Sequence, residues 1–113
     1  MLPRLVGLHR AMELAYFAEI LSAGEALDYG LVNRVLPDAE LDAFVDGWAK
    51  RLAKGPPLAL SMTKRLLHDG AKSTMAEALE NEARCQTVNF STEDTTEAMR
   101  AFAEKRDPVF RGR

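Results

Sequence analysis

Residues 22–37, SAGEALDYGLVNRVLP, hold a helix start, a helix stop and an extended run within one short stretch, and this punctuation limits what the flanking chain can form. Ser22 is a good N-cap, because its hydroxyl accepts from a helix N–H that has no partner within the helix. Glu25, three residues on, completes a capping box, so a short helix runs through Ala26, Leu27 and Tyr29. Gly30 ends that helix, since a residue without Cβ enters the left-handed region at C′ without a clash. Leu31, Val32, Val35 and Leu36 then read as a short strand over 31–36, closed by Pro37. The expectation is helix, tight turn and strand, and it carries no chemistry of its own.

Similar signals divide the rest of the chain into helices. Residues 8–21 read as a helix whose apolar side chains, among them Leu8, Met12, Leu14, Phe17 and Leu21, point in nearly every direction around the axis. Such a helix is buried on several sides, which calls for further chain or a partner subunit to cover it. Asp38 starts a helix with the stripe Leu41, Phe44, Val45, Trp48 and Leu52, stopped by Gly55. Burying such a stripe is worth roughly 10 kcal/mol, against about 1 to 2 kcal/mol per residue for ordering the backbone, so the helix must dock to persist. Pro56 and Pro57 suit the first turn of the next helix, which runs to Gly70. Thr74 and Glu77 form a second capping box for a long helix to Phe90, and Ser91 or Thr92 starts a last one ending near Glu104. The organisation expected is residues 1–37 as one region and 38–113 as a helical second.

Charge and cysteine usage narrow the function classes. A formal net charge of -2 provides no field to recruit nucleic acid or an anionic membrane. A single cysteine, Cys85, excludes an intrachain disulfide and fits a reducing, cytoplasmic setting. Arg4, Arg10, Glu13 and Glu19 interrupt the apolar N-terminal stretch, so neither a signal core nor a membrane span fits there. Acidic residues gather on the last two helices, while Lys105, Arg106, Arg111 and Arg113 make the tail basic. That tail is expected to be mobile and able to meet a phosphate; the alternative is a solvated end that complements the last helix's dipole.

Little else suggests catalysis. His68 and Cys85, a nucleophile and base by type, fall on different helices with no third group to orient them, and both read as structural. His9 reads as a helix-start residue, and two isolated histidines give no metal-ligand spacing. Glu77, Glu80 and Glu82 read as a solvated acidic face, not as paired catalytic carboxylates.

Read as a string, the chain resembles the enoyl-CoA hydratase/isomerase family, the crotonases. The residues that carry the resemblance are LPRLVG from Leu2, the Ser-Ala, Glu-Ala and Gly-Leu-Val-Asn-Arg-Val elements within 22–37, GPPLAL from Gly55, TKRLL from Thr63 and the ending FAEKRDPVFRGR from Phe102. They follow the order and spacing of the C-terminal part of the family pattern. The resemblance implies a mainly α chain, the C-terminal helical segment of a crotonase-like α/β spiral fold, with one short strand near residues 31–36. It implies a soluble protein of acyl-CoA metabolism, with coenzyme A thioester as substrate carrier, no covalently bound cofactor, no metal, and assembly as a homotrimer or hexamer. The family's acidic residues that add or remove water, and its oxyanion hole, lie upstream of the segment matched, and a Gly-rich loop normally stands where Met1 is. No residue here matches a catalytic position. Lys105 inherits the role of a contact to the coenzyme A nucleotide. Phe102, one turn earlier, either lines the groove beside it or belongs to the core; Phe90 and Phe110 are weaker candidates.

Two readings follow. In one, the chain is the C-terminal portion of an enoyl-CoA hydratase/isomerase-like protein and supplies the CoA-facing wall and trimer contacts. In the other it is a stand-alone helical oligomerisation or interaction module without catalysis. A helix-turn-helix DNA binder is disfavoured by the acidic balance and by the lack of a basic recognition helix beyond Lys64 and Arg65.

Overall fold

The computed structural model describes residues Met1–Arg113, which form seven helices and no strand. These are α1 (Leu2–Val6), α2 (Leu8–Phe17), α3 (Ala23–Asp28), α4 (Asp38–Ala53), α5 (Pro57–Gly70), α6 (Met75–Phe90) and α7 (Glu93–Glu104). The chain divides into two units, Met1–Val45 and Asp46–Arg113.

In the first unit α1 packs on α2 about Gly7, whose φ of 81° allows the abrupt change of direction. Arg10 of α2 lays its guanidinium over the Tyr29 ring, 4.3 Å from the centroid, and so ties α2 to the end of α3. The capping box of α3 is complete. Glu25 N–H donates to Ser22 Oγ at 3.2 Å, and Ser22 N–H donates back to Glu25 Oε2 at 2.8 Å. The Ser22 hydroxyl, followed by its amide, holds the Glu25 carboxyl below its ordinary pKa.

Two expectations fail in this unit. The strand over 31–36 does not form, because a strand persists only through ladder bonds to a neighbour and this chain offers it none. Leu31 N–H instead returns to Ala26 O at 2.9 Å and Gly30 N–H to Leu27 O at 3.0 Å, closing α3 in a Schellman turn with Gly30 at φ 72°. The apolar residues Leu31, Val32, Val35 and Leu36 reflected a preference for a half-buried surface, which is not the same as a pairing partner. The second failure is the length of the helix expected over 8–21. It stops at Phe17, where Ala18 takes the left-handed conformation at φ 50° and its N–H bonds Leu14 O. Ser22 must itself be extended to cap α3, so the helix has to break before it, and it breaks at Ala18.

In the second unit α5 and α6 pack side by side and α7 rests more lightly on α6. Thr74 and Glu77 form the second complete capping box, and the Thr74 amide and hydroxyl hold the Glu77 carboxyl down. Thr92 caps α7, its Oγ1 accepting from Thr95 N–H at 3.2 Å and donating to Asn89 O at 2.7 Å. Cys85 and Ala101 are the buried apolar residues here, with Thr92 and Asp94 as buried polar ones.

Much apolar surface stays open. The accessible area is 9322 Å². A folded monomer of 12.5 kDa exposes roughly 6,200 Å², and two separate bodies of these units' sizes only roughly 7,400 Å². Tyr16, Phe17, Ile20, Leu67, Met75 and Phe90 are all more than two-thirds exposed. The stripe of α4 is open too, with Leu41, Val45 and Leu52 each about half exposed or more. The helix expected to be buried on several sides buries only Ala11.

Candidate functional site at the end of α7

The helix α7 is amphipathic. Ala101 is 1% exposed, whereas its neighbour Phe102 is 87% exposed and belongs to no core in this chain. After Glu104 the chain reverses at Lys105, which takes the left-handed conformation at φ 53°. Lys105 N–H donates to Phe102 O at 3.3 Å and Arg106 N–H to Ala101 O at 3.1 Å, so α7 ends in a Schellman turn with lysine in the place glycine usually fills. A side chain in that conformation costs about 1 to 2 kcal/mol, which neighbouring contacts must offset.

Those contacts come from the tail. Arg106 forks onto Glu97, with Nη1 on Oε1 and Nη2 on Oε2 at 3.0 Å, and its Nε reaches Glu104 at 2.6 Å. Val109 N–H donates to Glu97 Oε1 at 3.0 Å. Further along, the buried Asp94 carboxylate accepts from Arg111 N–H at 2.6 Å and Gly112 N–H at 2.8 Å, while Asp94 N–H donates to Arg113 O at 3.3 Å. Arg113 Nε ends the series on Glu93 at 2.9 Å. A Cβ on Gly112 would stand 2.8 Å from Pro57 Cγ, so the tail also lies against the start of α5. Residues 106–113 therefore run back beside α7 from its C-terminal to its N-terminal end. The tail expected to be mobile is hydrogen-bonded to α7 at several points while most of its residues stay exposed.

This arrangement sorts the cations. Arg106 and Arg113 are matched by Glu97, Glu104 and Glu93. Fork bonding from Arg106, then the Val109 N–H, pushes the Glu97 carboxyl down to about 2, and the same fork pushes the guanidinium up. Arg100 and Arg111 line an open recess together with Glu93, Asp94 and Glu97, without forming an ion pair there. The Lys105 ammonium has neither an ion-pair nor a hydrogen-bond partner, although the backbone beneath it is fixed on both sides. A single exposed ammonium on a fixed turn, with an exposed aromatic ring three residues earlier, is suited to meeting an anion.

The structure brings no other candidates together. Cys85 Sγ lies 3.7 Å from Arg65 Nη2, not beside His68, and His68 and His9 are both exposed. Glu77 is used by its capping box, and Glu80 pairs with Arg84 at 3.0 Å. No three His, Cys, Asp or Glu side chains gather as a metal site. The residues that sequence reasoning missed are Asp94 and Glu97, which it counted only among the acidic residues of the last two helices. The visible signal was charge placement, an acidic helix followed directly by a basic tail.

The chain thus combines helices, one ordered cationic turn and wide uncovered apolar faces. Comparison with known proteins gives the family. The sequence model of "Enoyl-CoA hydratase/isomerase" matches residues 1–113. A probable enoyl-CoA hydratase of Rhodobacter capsulatus is 39% identical over 112 residues, and a crotonyl-CoA hydratase of Syntrophomonas wolfei 38% over 109; these matches span 99% and 96% of this chain but 44% and 42% of those proteins. The crystal structure of an enoyl-CoA hydratase from Bacillus anthracis superposes with a TM-score of 0.95 at 35% identity, covering 99% of this chain and 43% of that one. The chain belongs to the enoyl-CoA hydratase/isomerase family, corresponds to the C-terminal part of its pattern, and spans less than half the length of these relatives. No helix is long and apolar enough to cross a membrane.

Proposed function

We propose that this chain is the C-terminal, CoA-facing portion of a protein that acts on acyl-CoA thioesters, and that it also supplies contacts between subunits of a homotrimer or hexamer. Lys105 and Phe102 are its ligand-facing residues. Lys105 meets a phosphate of the coenzyme A nucleotide, most directly the ribose 3′-phosphate, and the Phe102 ring lines the groove beside it. The observation that carries this reading is that Lys105 combines a backbone fixed by the turn that ends α7 with an ammonium that no carboxylate pairs, while Arg106 and Arg113 are spent on α7. The relatives' names support the ligand class, and the uncovered faces of α2 and α4 support contact with more protein.

The test is binding to the complete gene product. An exposed lysine-phosphate contact is worth about 1 kcal/mol, so Lys105→Ala weakens coenzyme A roughly fivefold. Dephospho-coenzyme A, which lacks the 3′-phosphate, is nearly unaffected, and the difference shrinks as salt is raised. Equal loss for both ligands moves Lys105 elsewhere on the nucleotide, and no loss for either removes it from the site.

The second reading is a stand-alone helical interaction module, which the same exposed stripes favour. The reading frame upstream of Met1 separates the two. An in-frame glycine-rich loop with acidic residues before it supports the enzyme segment, whereas an immediate stop and promoter support the module.

A further inference from the structure

Lys105 occupies a backbone conformation that its side chain disfavours, and bonds from outside the turn add to the two that close it. The two Schellman bonds, from the Lys105 and Arg106 N–H groups to Phe102 O and Ala101 O, close the reversal but do not fix the Arg106 side chain. The Arg106 side chain is tied down by Glu97, more than two helical turns back. Its carboxylate takes both Nη atoms of Arg106 and also the Val109 N–H. Its side chain is only 19% exposed, and that of Arg106 38%, so water competes poorly for the fork. Glu104 and the Asp107 carbonyl take the remaining donors of Arg106 that face them, at 2.6 Å and 3.1 Å. Lys105 thus lies between the last residue of α7 and a residue clamped to the middle of that helix, with its ammonium left unmatched.

We propose that Glu97 and Arg106 are positioning residues for Lys105: their forked pair holds the left-handed turn in the one arrangement that directs the ammonium to an anion, so the ligand does not have to order it. This rests on the reading of Lys105 as a phosphate contact. The physical gain is preorganisation, since a lysine anchored on a frayed helix end loses backbone freedom when it binds and one on a clamped turn does not. The pair survives across the neutral range, since its carboxyl protonates only near pH 2.

A double-mutant cycle on the complete gene product tests this, with calorimetric binding of coenzyme A and dephospho-coenzyme A. Glu97→Gln keeps the shape and removes the charge, and Arg106→Lys keeps the charge and removes the fork. Each should weaken coenzyme A about two- to fourfold where Lys105 is present, and have no effect on it in the Lys105→Ala background or on dephospho-coenzyme A. Glu93→Gln, which releases only the far end of the tail at Arg113, should leave both affinities unchanged, and unaltered circular dichroism should accompany every variant. If Lys105→Ala itself changes nothing, the phosphate contact fails. If Lys105→Ala weakens coenzyme A but Glu97→Gln is silent, or acts equally with and without Lys105, the contact stands and the positioning role is overturned.

Discussion

Asp94 holds the end of the tail through its carboxylate, so removing that carboxylate should release residues 111–113. The side chain is 4% exposed and accepts two backbone N–H bonds, at 2.6 Å from Arg111 and 2.8 Å from Gly112. A hydrogen bond to a charged acceptor contributes about 1.5 to 3 kcal/mol when its loss leaves the donor unpaired in a dry place. Arg111 is exposed, so water replaces its bond cheaply, whereas Gly112 sits half-buried against Pro57. Asp94→Ala should therefore cost about 2 to 3 kcal/mol, with a further few tenths from losing a first-turn acid on α7. Asp94→Asn keeps one acceptor oxygen and turns an amide N–H towards the other donor, so it should cost roughly half as much. Amide hydrogen exchange reports this locally. Protection at Arg111 and Gly112 should collapse in Asp94→Ala, while amides inside α5 and α6 change far less. If those two amides stay as protected as in the wild type, the carboxylate is not what orders the tail.

Three further outcomes follow from the same structure. The chain on its own should self-associate at tens of micromolar in sedimentation, because its total accessible area exceeds that of a folded monomer of its mass and many large apolar side chains are exposed; a monomer that binds little apolar dye would contradict this. Lys105→Gly should raise the melting temperature by relieving a left-handed lysine worth about 1 kcal/mol, and should abolish the coenzyme A preference over the dephospho form; a drop in stability would show that the turn is not strained. The folded Glu97 carboxyl lies near 2, below its unfolded value of 4.5, so the unfolded state binds more protons between those values. The pair's contribution is full above pH 4.5 and disappears as pH falls towards 2, and Glu97→Gln should flatten that part of the stability profile.

The helix pattern was legible wherever a local device announced it. Ser22 with Glu25, Thr74 with Glu77, Pro56 with Pro57, and Thr92 each act within one turn of the residues that encode them, and each lies where local chemistry places it. The short α1 lacked any such device beyond Pro3, and the stop of α2 at Ala18 carries no glycine to mark it. Residues 31–36 looked like a strand because their composition describes the surface they suit, whereas a ladder requires a neighbour that composition does not describe. The latch was hidden for a different reason. It joins Asp94 to Gly112 and Glu97 to Arg106, pairings eighteen and nine residues apart that arise only once the chain has reversed at Lys105. An acidic helix beside a basic tail was apparent in the sequence, but not which charge would be left over. Phe102 shows the same limit: its place on an amphipathic helix allowed a core role, and the structure leaves its ring in the open.

The most direct measurement of the account is a crystal structure of the complete gene product with coenzyme A bound. The account predicts the ribose 3′-phosphate within about 2.7 to 3.2 Å of Lys105 Nζ. It also predicts the Phe102 ring against the nucleotide or its arm, and the Arg106–Glu97 fork unbroken. A nucleotide bound elsewhere, with Lys105 still facing solvent alone, would contradict it.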